Sequence, residues 1–562
     1  FTIESGGELY ATNAFINMAY PIVVKGKADV RGTTITVSTW TDLTDGDHPE
    51  ERLNGFDIRE TGAGFFSNCN FSSTEYRWEA NNHFYDDWSA IIDARDTSQL
   101  TVEGCSFTSL NNYGNYRTVF GISLFGTVKA DIRNLGTKQN SFTGFHSGIC
   151  WRFGSETQTI ARCQFTDCDH DNLRLEGDIS KALVFNNLRQ NLGTSVTILS
   201  GGQMTLAPGS ELSNRDWRHN GTRRLRVQGT LTGTDASFYG WTWTDLTDGE
   251  EGETQTGERY NLIDLDGGTG IFKKCTFNTS ERRWESLNHY YDDWSAVINC
   301  IGTANLTVEG CNFESLKDYG YYRTVYGIRF AGEETATIGP WVGQTTINNT
   351  FKGFQAAFGL KLNKTSPNIS AVVLEDCPRN LRLSGDVESN VTLSPNLDIW
   401  MGTSIAVKTG ATLTIPNARV LNDTWLRWLT IETGGKLIFT DSIFISNQTP
   451  VLNAGAFEAT NSLIHLRTRR NQGDMNYRNG MRITGKGSAK FTNCTIKAEE
   501  YESHNAYENA LLHVTDEGSL TLDGSLLMNS YWSTYPLHNA VWWNSTGDLT
   551  IKGTTFTKNT RG

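Results

Sequence analysis

The chain has 562 residues, a net charge of −13, 38% apolar and 11% aromatic residues. That apolar share supports a large core and excludes global disorder. The acidic balance argues against nucleic acid as a partner, because a phosphate binder needs a basic face. No run of roughly 18 apolar residues occurs, so no transmembrane segment is expected.

The sequence begins at Phe1 without a Met or a signal peptide, as expected of a processed chain or a piece of a longer one. Val, Ile, Thr and aromatic residues dominate its apolar runs, and Gly (55) far outnumbers Pro (10), which favours strands and turns over helices. Internal repetition is the strongest signal. The stretch from Cys69, "CNFSSTEYRWEANNHFYDDWSAII", returns from Cys275 as "CTFNTSERRWESLNHYYDDWSAVI", and the alignment runs without a gap from Cys69/Cys275 to Gly121/Gly327. "WTDLTDG" occurs at 40–46 and 243–249, and "NLRL-GD" at 172–178 and 380–386. A shorter third copy is marked by "TIESGG" at 2–7 and "TIETGG" at 430–435. The repeats divide the chain into units 1–224, 225–428 and 429–562, the last cut short, in one continuous solenoid.

Within each unit a finer period appears. "LTVEGCSF" (100–107), "TIARCQF" (159–165), "LTVEGCNF" (306–313) and "IAVKTGATLTIPNARVL" (405–421) read as short alternating strands ending in Gly, Asn or Asp turns. Successive blocks lie either 22–24 or about 36 residues apart. Rungs of that size, with two or three strands each, describe a parallel β-helix. Ten cysteines without any CxxC pair suggest small buried thiols at equivalent core positions rather than a zinc site.

These rungs resemble the right-handed parallel β-helices of the pectate-lyase-like superfamily, and the "G-tLTI-p-a-v" rungs are similar to secreted and cell-surface β-helix repeat proteins of Bacteroidota. The resemblance implies an all-β, right-handed parallel β-helix (solenoid) with three related internal units and protruding loops. It carries over no catalytic residue, since neither the hydrolase-type "NTDG…DD…GHG" series nor a lyase Arg-x-Pro arrangement is present. Fold alone does not give function.

The surplus residues of the longer rungs must leave the solenoid as loops. In copy one the excursions "STEYRWEANNHFYDDW" and "SLNNYGNYR" are expected on one side, a rung apart, or roughly 4.8 Å. They would gather Trp78, His83, Tyr85, Asp86, Asp87, Trp88, Tyr113, Tyr116 and Arg117. Copy two would gather Trp284, His289, Tyr291, Asp292, Asp293, Trp294, Tyr319, Tyr322 and Arg323. Three readings compete. The loops fold back and bury their rings against the solenoid flank. Alternatively they bind glycan, with flat aromatic faces on sugar rings and carboxylates and Arg on hydroxyls. Or they form the site of a polysaccharide lyase or glycoside hydrolase. Adjacent Asp86 and Asp87 on an extended segment point to opposite sides and make a poor acid–base pair.

Duplication weighs against catalysis and for binding, where linked weak sites about 40 Å apart would reinforce each other. Copy three keeps His504 and Tyr507 but has lost the Asp-Asp-Trp. "DLTDGD" and "DLTDGE" offer weak Ca²⁺ candidates in Asp42, Asp45, Asp245 and Asp248, although Asp-Gly is first a turn signal. No other cofactor is expected. The expected function is that of a secreted or cell-surface β-helical binding and structural protein, adhesin-like, contacting a glycan or cell-surface component. A polysaccharide-degrading enzyme and a purely architectural fibre are the alternatives. Further domains or a protein partner are expected at the solenoid ends, where a β-helix needs cover.

Overall fold

The structure is a computed structural model. It describes residues 1–40, 53–75, 89–110, 118–154, 159–161, 163–168, 171–214, 223–243, 260–281, 295–316, 324–331, 333–343, 345–362, 367–370, 372–422, 428–446, 451–468, 480–500, 510–529 and 539–557. Among these residues there is no helix, and nearly every strand pairs in parallel with the strand one rung away. The chain is a parallel β-helix, and connections between parallel strands take the right-handed sense almost without exception. Contacts group it into two compact units, Phe1–Ser295 with Leu316–Tyr322, and Ala296–Ser315 with Arg323–Gly562.

In the first unit each rung has three strands. A bridging strand such as Gln99–Glu103 turns tightly into an outgoing strand, Ser106–Leu110. The chain then passes through the segment 111–117 to a return strand, Phe120–Leu124. The tight turn needs one residue with positive φ just before the cysteine: Asn68 (54°) precedes Cys69, and Gly104 (58°) precedes Cys105. At Gly104 a Cβ would also lie 2.7 Å from Leu135 Cβ, so glycine serves both conformation and space there.

The Cys-x-Phe pattern follows directly. Cys69 and Cys105 are buried in that turn, and Phe71, two residues on, points to the same interior face. Phe71 pairs with Phe107, and Phe107 with Phe142. Their rings stack at 4.6 Å and 4.8 Å with interplanar angles of 2° and 6°. Such a ladder adds offset-stacking energy to burial of about 150–250 Å² per ring. The thiols are more than filler. Cys69 N–H donates to Cys105 Sγ (3.4 Å), and Cys105 N–H donates to Asn140 Oδ1 (2.8 Å). In the second unit Cys494 N–H finds Ser525 Oγ (3.1 Å), and Ser442 N–H finds Ser462 Oγ (3.1 Å). Cys, Asn and Ser are therefore interchangeable acceptors in a ladder that satisfies buried turn amides.

The rungs do not stay in phase. The return strand Asp171–Glu176 pairs not with the next return strand but with Arg189–Leu192, in register Leu173 to Gln190. The strand between them, Ala182–Phe185, starts a fresh ladder with Gln203–Leu206. From this slip onward the first return sheet supplies the outgoing strands Ser237–Thr242 and Thr276–Glu281. The second unit contains the same event, where Leu381 pairs with Ile399.

The "NLRL-GD" motif marks both slips. Arg174 Nη2 donates to the Gly193 carbonyl at 3.0 Å, and Arg382 Nη2 to the Gly402 carbonyl at 3.1 Å. A Cβ on Gly193 would lie 2.5 Å from Arg174 Nε, so the glycine leaves room for the arginine that caps the shortened rung. The two slips balance the buried charge differently. Arg174 and Arg152 both pair with buried Glu176, the former at 2.6 Å. At Arg382 the residue corresponding to Glu176 is Ser384, and the guanidinium bonds Tyr326 OH and lies 5.3 Å from the Trp400 ring centre.

Candidate functional site

The aromatic and acidic residues singled out in the sequence fall in 76–88, 111–117, 282–294 and 317–323, outside the described residues. So do the Ca²⁺ candidates Asp42, Asp45, Asp245 and Asp248, and His504 and Tyr507 of the third copy. What the structure describes is where these segments are rooted. Asn70–Glu75 and Ser106–Leu110 are neighbours in one sheet, so 76–88 and 111–117 leave from adjacent rungs at one corner of the helix.

A buried hydrogen-bonded cluster joins the roots. Glu75 ends the strand before 76–88, and Ser89 follows the segment. Ser89 Oγ donates to Glu75 Oε2 at 2.7 Å. Thr39, the last residue of the strand Thr34–Thr39 one rung earlier, donates to the same Oε2 at 2.7 Å. Its hydroxyl also lies 2.8 Å from Thr118 Oγ1, which in turn donates to Ser73 Oγ at 2.7 Å. Thr118 N–H donates to Ser109 Oγ at 2.9 Å, which straddles 111–117. Strand ends from three consecutive rungs thus share one polar anchor. The second copy repeats its centre: Thr242 and Ser295 both donate to Glu281 Oε2, at 2.8 Å and 2.6 Å.

The slip moves this corner. In copy one the excursions run from the first outgoing sheet to the first return sheet. Past Leu173–Gln190 they leave from that return sheet itself, at Ser237–Thr242 and Thr276–Glu281. A constant sequence offset therefore does not keep the copies on one face of the solenoid.

The return strands also differ in how open they are. Ala90–Ala94 and Phe120–Leu124 are buried at every position, including Asp93 and Ser123 on the side facing away from the core. Ala296–Ile301 and Ala356–Lys361 in the second unit are closed in the same manner except at their last residues. The return sheet that follows the second slip is open. Its outward column reads Ala406, Thr430, Leu452, Arg482, His513, Trp542, each in register with the next. All six are half-buried while their neighbours on the inner face are mostly buried.

At one end of this column lies an open groove of about 460 Å³, lined by Thr409, Thr430, Glu432, Thr433, Leu452 and Thr484 among others. Glu432 is held by Lys408 at 2.8 Å, and Lys408 also bonds Asp386 at 3.1 Å. That pairing raises the Lys408 pKa through its bonds to Glu432 and then Asp386. At the other end the His513 and Trp542 rings lie 5.0 Å apart at 30°. Asp516 at the rim accepts the Gly485 N–H at 2.9 Å, which holds its carboxyl below the usual range. Hydroxyls, an ion-paired carboxylate, a guanidinium, an imidazole and an indole therefore line one strip, spaced by the rung repeat of roughly 4.8 Å.

Sequence reasoning passed over this strip because the third copy lacks the Asp-Asp-Trp. The signal that could have found it is the outward position of "LLHV" and "VWWN" in adjacent rungs. Glu75 and Glu281 were likewise unremarked, although a glutamate ending a strand just before each excursion recurs in both copies.

Neither a known protein family nor a curated protein sequence matches the chain. Among solved structures, a tailspike protein mutant of E. coli bacteriophage HK620 is similar over 82% of this chain and 71% of its own, at 10% identity and a TM-score of 0.19.

Proposed function

We propose that this chain is a secreted or cell-surface β-helical protein that binds glycan along the open return sheet of its third copy. The observation that carries the reading is the column Arg482–His513–Trp542 continuing the threonine-lined groove. An indole face stacks on a sugar ring, and hydroxyls, Arg and carboxylate meet sugar hydroxyls. One contact per rung suits a polymer lying along the axis. The excursions of copies one and two, rich in Trp, Tyr, Asp and Arg, supply further contacts of the same chemistry, and their buried roots at Glu75 and Glu281 support a fixed presentation.

The test is a glycan array probed with the wild-type chain and with Trp542→Ala, Arg482→Ala and Trp88→Ala. Trp542 is half-exposed, so its truncation leaves the fold intact, checked by far-UV circular dichroism. A loss of roughly tenfold in Trp542→Ala is expected, because the ligand no longer has an apolar ring face to cover. Wild type that binds no glycan, or Trp542→Ala that binds as wild type does, overturns the reading. Release of reducing ends or unsaturated sugars from a bound polymer would replace binding with hydrolysis or elimination.

A further inference from the structure

Two cysteines of the turn ladder in the first unit are neighbours along it. Cys69 and Cys105 occupy the same turn position in adjacent, in-register rungs, since Asn70 pairs with Ser106. Parallel strands bring such residues to a Cα separation of roughly 4.8 Å. That falls inside the span a disulfide accepts, about 4.4–6.8 Å. The Cys105 sulfur lies 3.4 Å from Cys69 N.

We propose that Cys69 and Cys105 form a disulfide that staples two consecutive rungs when the chain folds in an oxidising compartment. The two residues stand in the turn leading into Asn70–Glu75 and Ser106–Leu110, the strands from which 76–88 and 111–117 depart. The staple would therefore fix the spacing of the two excursions from below, on the side opposite the Glu75 anchor.

The chemistry needs an oxidant, and a small-molecule disulfide suffices. One protein thiolate attacks a sulfur of that disulfide, forming a mixed disulfide and releasing one small thiol. The second protein thiolate then attacks the mixed disulfide, closing the Cys69–Cys105 bond and releasing the other. Two protein thiols are oxidised, one external disulfide is reduced to two thiols, and two protons pass to the departing sulfurs. Either thiolate can make the first attack. Both thiols are fully buried in the finished fold, so closure belongs to the stage when the two rungs first stack.

Cys163 is a contrast within the same ladder. Asn140 separates it from Cys105, and burial pushes its thiol up to about 12, which makes it inert. Serine occupies the ladder position elsewhere, at Ser442 and Ser525, so a Cys→Ser change keeps the acceptor and the fold.

The experiment uses the full chain exported to an oxidising bacterial periplasm, purified without reductant, acid-quenched, denatured and alkylated. Peptide mapping should recover Cys69 linked to Cys105, with two fewer alkylated thiols than in a sample first reduced with dithiothreitol. In Cys105→Ser the Cys69 thiol should become fully alkylated. The thermal midpoint of that variant should drop less on reduction than that of wild type, which should lose several degrees. Full alkylation of both cysteines in the unreduced wild type, or linkage of either to another residue, overturns the proposal. So does a drop on reduction that is as large in Cys105→Ser as in wild type. None of these readouts depends on glycan binding.

Discussion

Ser89 Oγ donates to Glu75 Oε2 at 2.7 Å, so the residue that closes one strand is bonded to the residue that precedes the next. Thirteen intervening residues, 76–88, are thereby pinned at both ends by a single carboxylate that is itself fully buried. Because Thr39 shares the same oxygen, removing the carboxylate takes an acceptor from two buried hydroxyls at once. Each buried polar group left without its partner costs about 1–3 kcal/mol.

The expected outcome for Glu75→Ala is a local loss of about 1–3 kcal/mol in the rungs around Phe71 and Phe107, from the buried hydrogen bonds removed. In a solenoid that loss stays near its site, because each rung contacts only its neighbours. Limited proteolysis should therefore cut within 76–88 and 111–117 faster than in wild type, while cleavage in the third copy is unchanged. Glu75→Gln keeps an acceptor oxygen and should lie between the two. If Glu75→Ala is cleaved no faster in these segments, the shared anchor is wrong.

How much of this was open to reading from sequence differs by feature. The in-phase rungs were legible because Cys69, Phe71 and Cys105, Phe107 repeat the same pair of letters at the same turn, and stacking demands that identity. The slips were not. Pairing Leu173 with Gln190 rather than with a later return strand puts a polar residue at a buried, inward position, and its other trace is an arginine followed by a distant glycine. The open strip was hidden for a related reason. Arg482, His513 and Trp542 are far apart in sequence and meet only through register, whereas "HFYDDWSA" is contiguous and drew attention to segments that the described residues merely bracket.

Acid should weaken the first slip. Burial opposes ionisation of Glu176, but Arg174 and Arg152 outweigh it and hold the carboxyl below the usual glutamate range. A depressed folded-state pKa means the stabilisation is fully present above the unfolded value, about 4.3, and is lost as pH falls through the lower folded value. Urea midpoints between pH 6 and pH 2.5 should fall on the acid side for wild type. Glu176→Gln should start lower at neutral pH, since two arginines lose their carboxylate, and should show a flatter acid limb. An unchanged acid limb in Glu176→Gln would remove this residue from the account.

The slip itself can be tested through the pair Gly193 and Arg174. Any side chain at Gly193 meets Arg174 Nε at 2.5 Å, and overpacking of this kind typically costs about 1–3 kcal/mol. Gly193→Ala should therefore lower the denaturation midpoint. Arg174→Ala should lower it too, by leaving the Gly193 carbonyl without its donor and Glu176 with Arg152 as its remaining arginine. The double variant decides between a shared cause and two separate ones. With Arg174 gone, the alanine methyl keeps its 2.7 Å contact with Glu176 Cγ but loses the two with Arg174, so the double change should cost less than the sum of the two singles. Additive losses would mean that the glycine and the arginine act independently, and that the "NLRL-GD" motif does not hold the shortened rung.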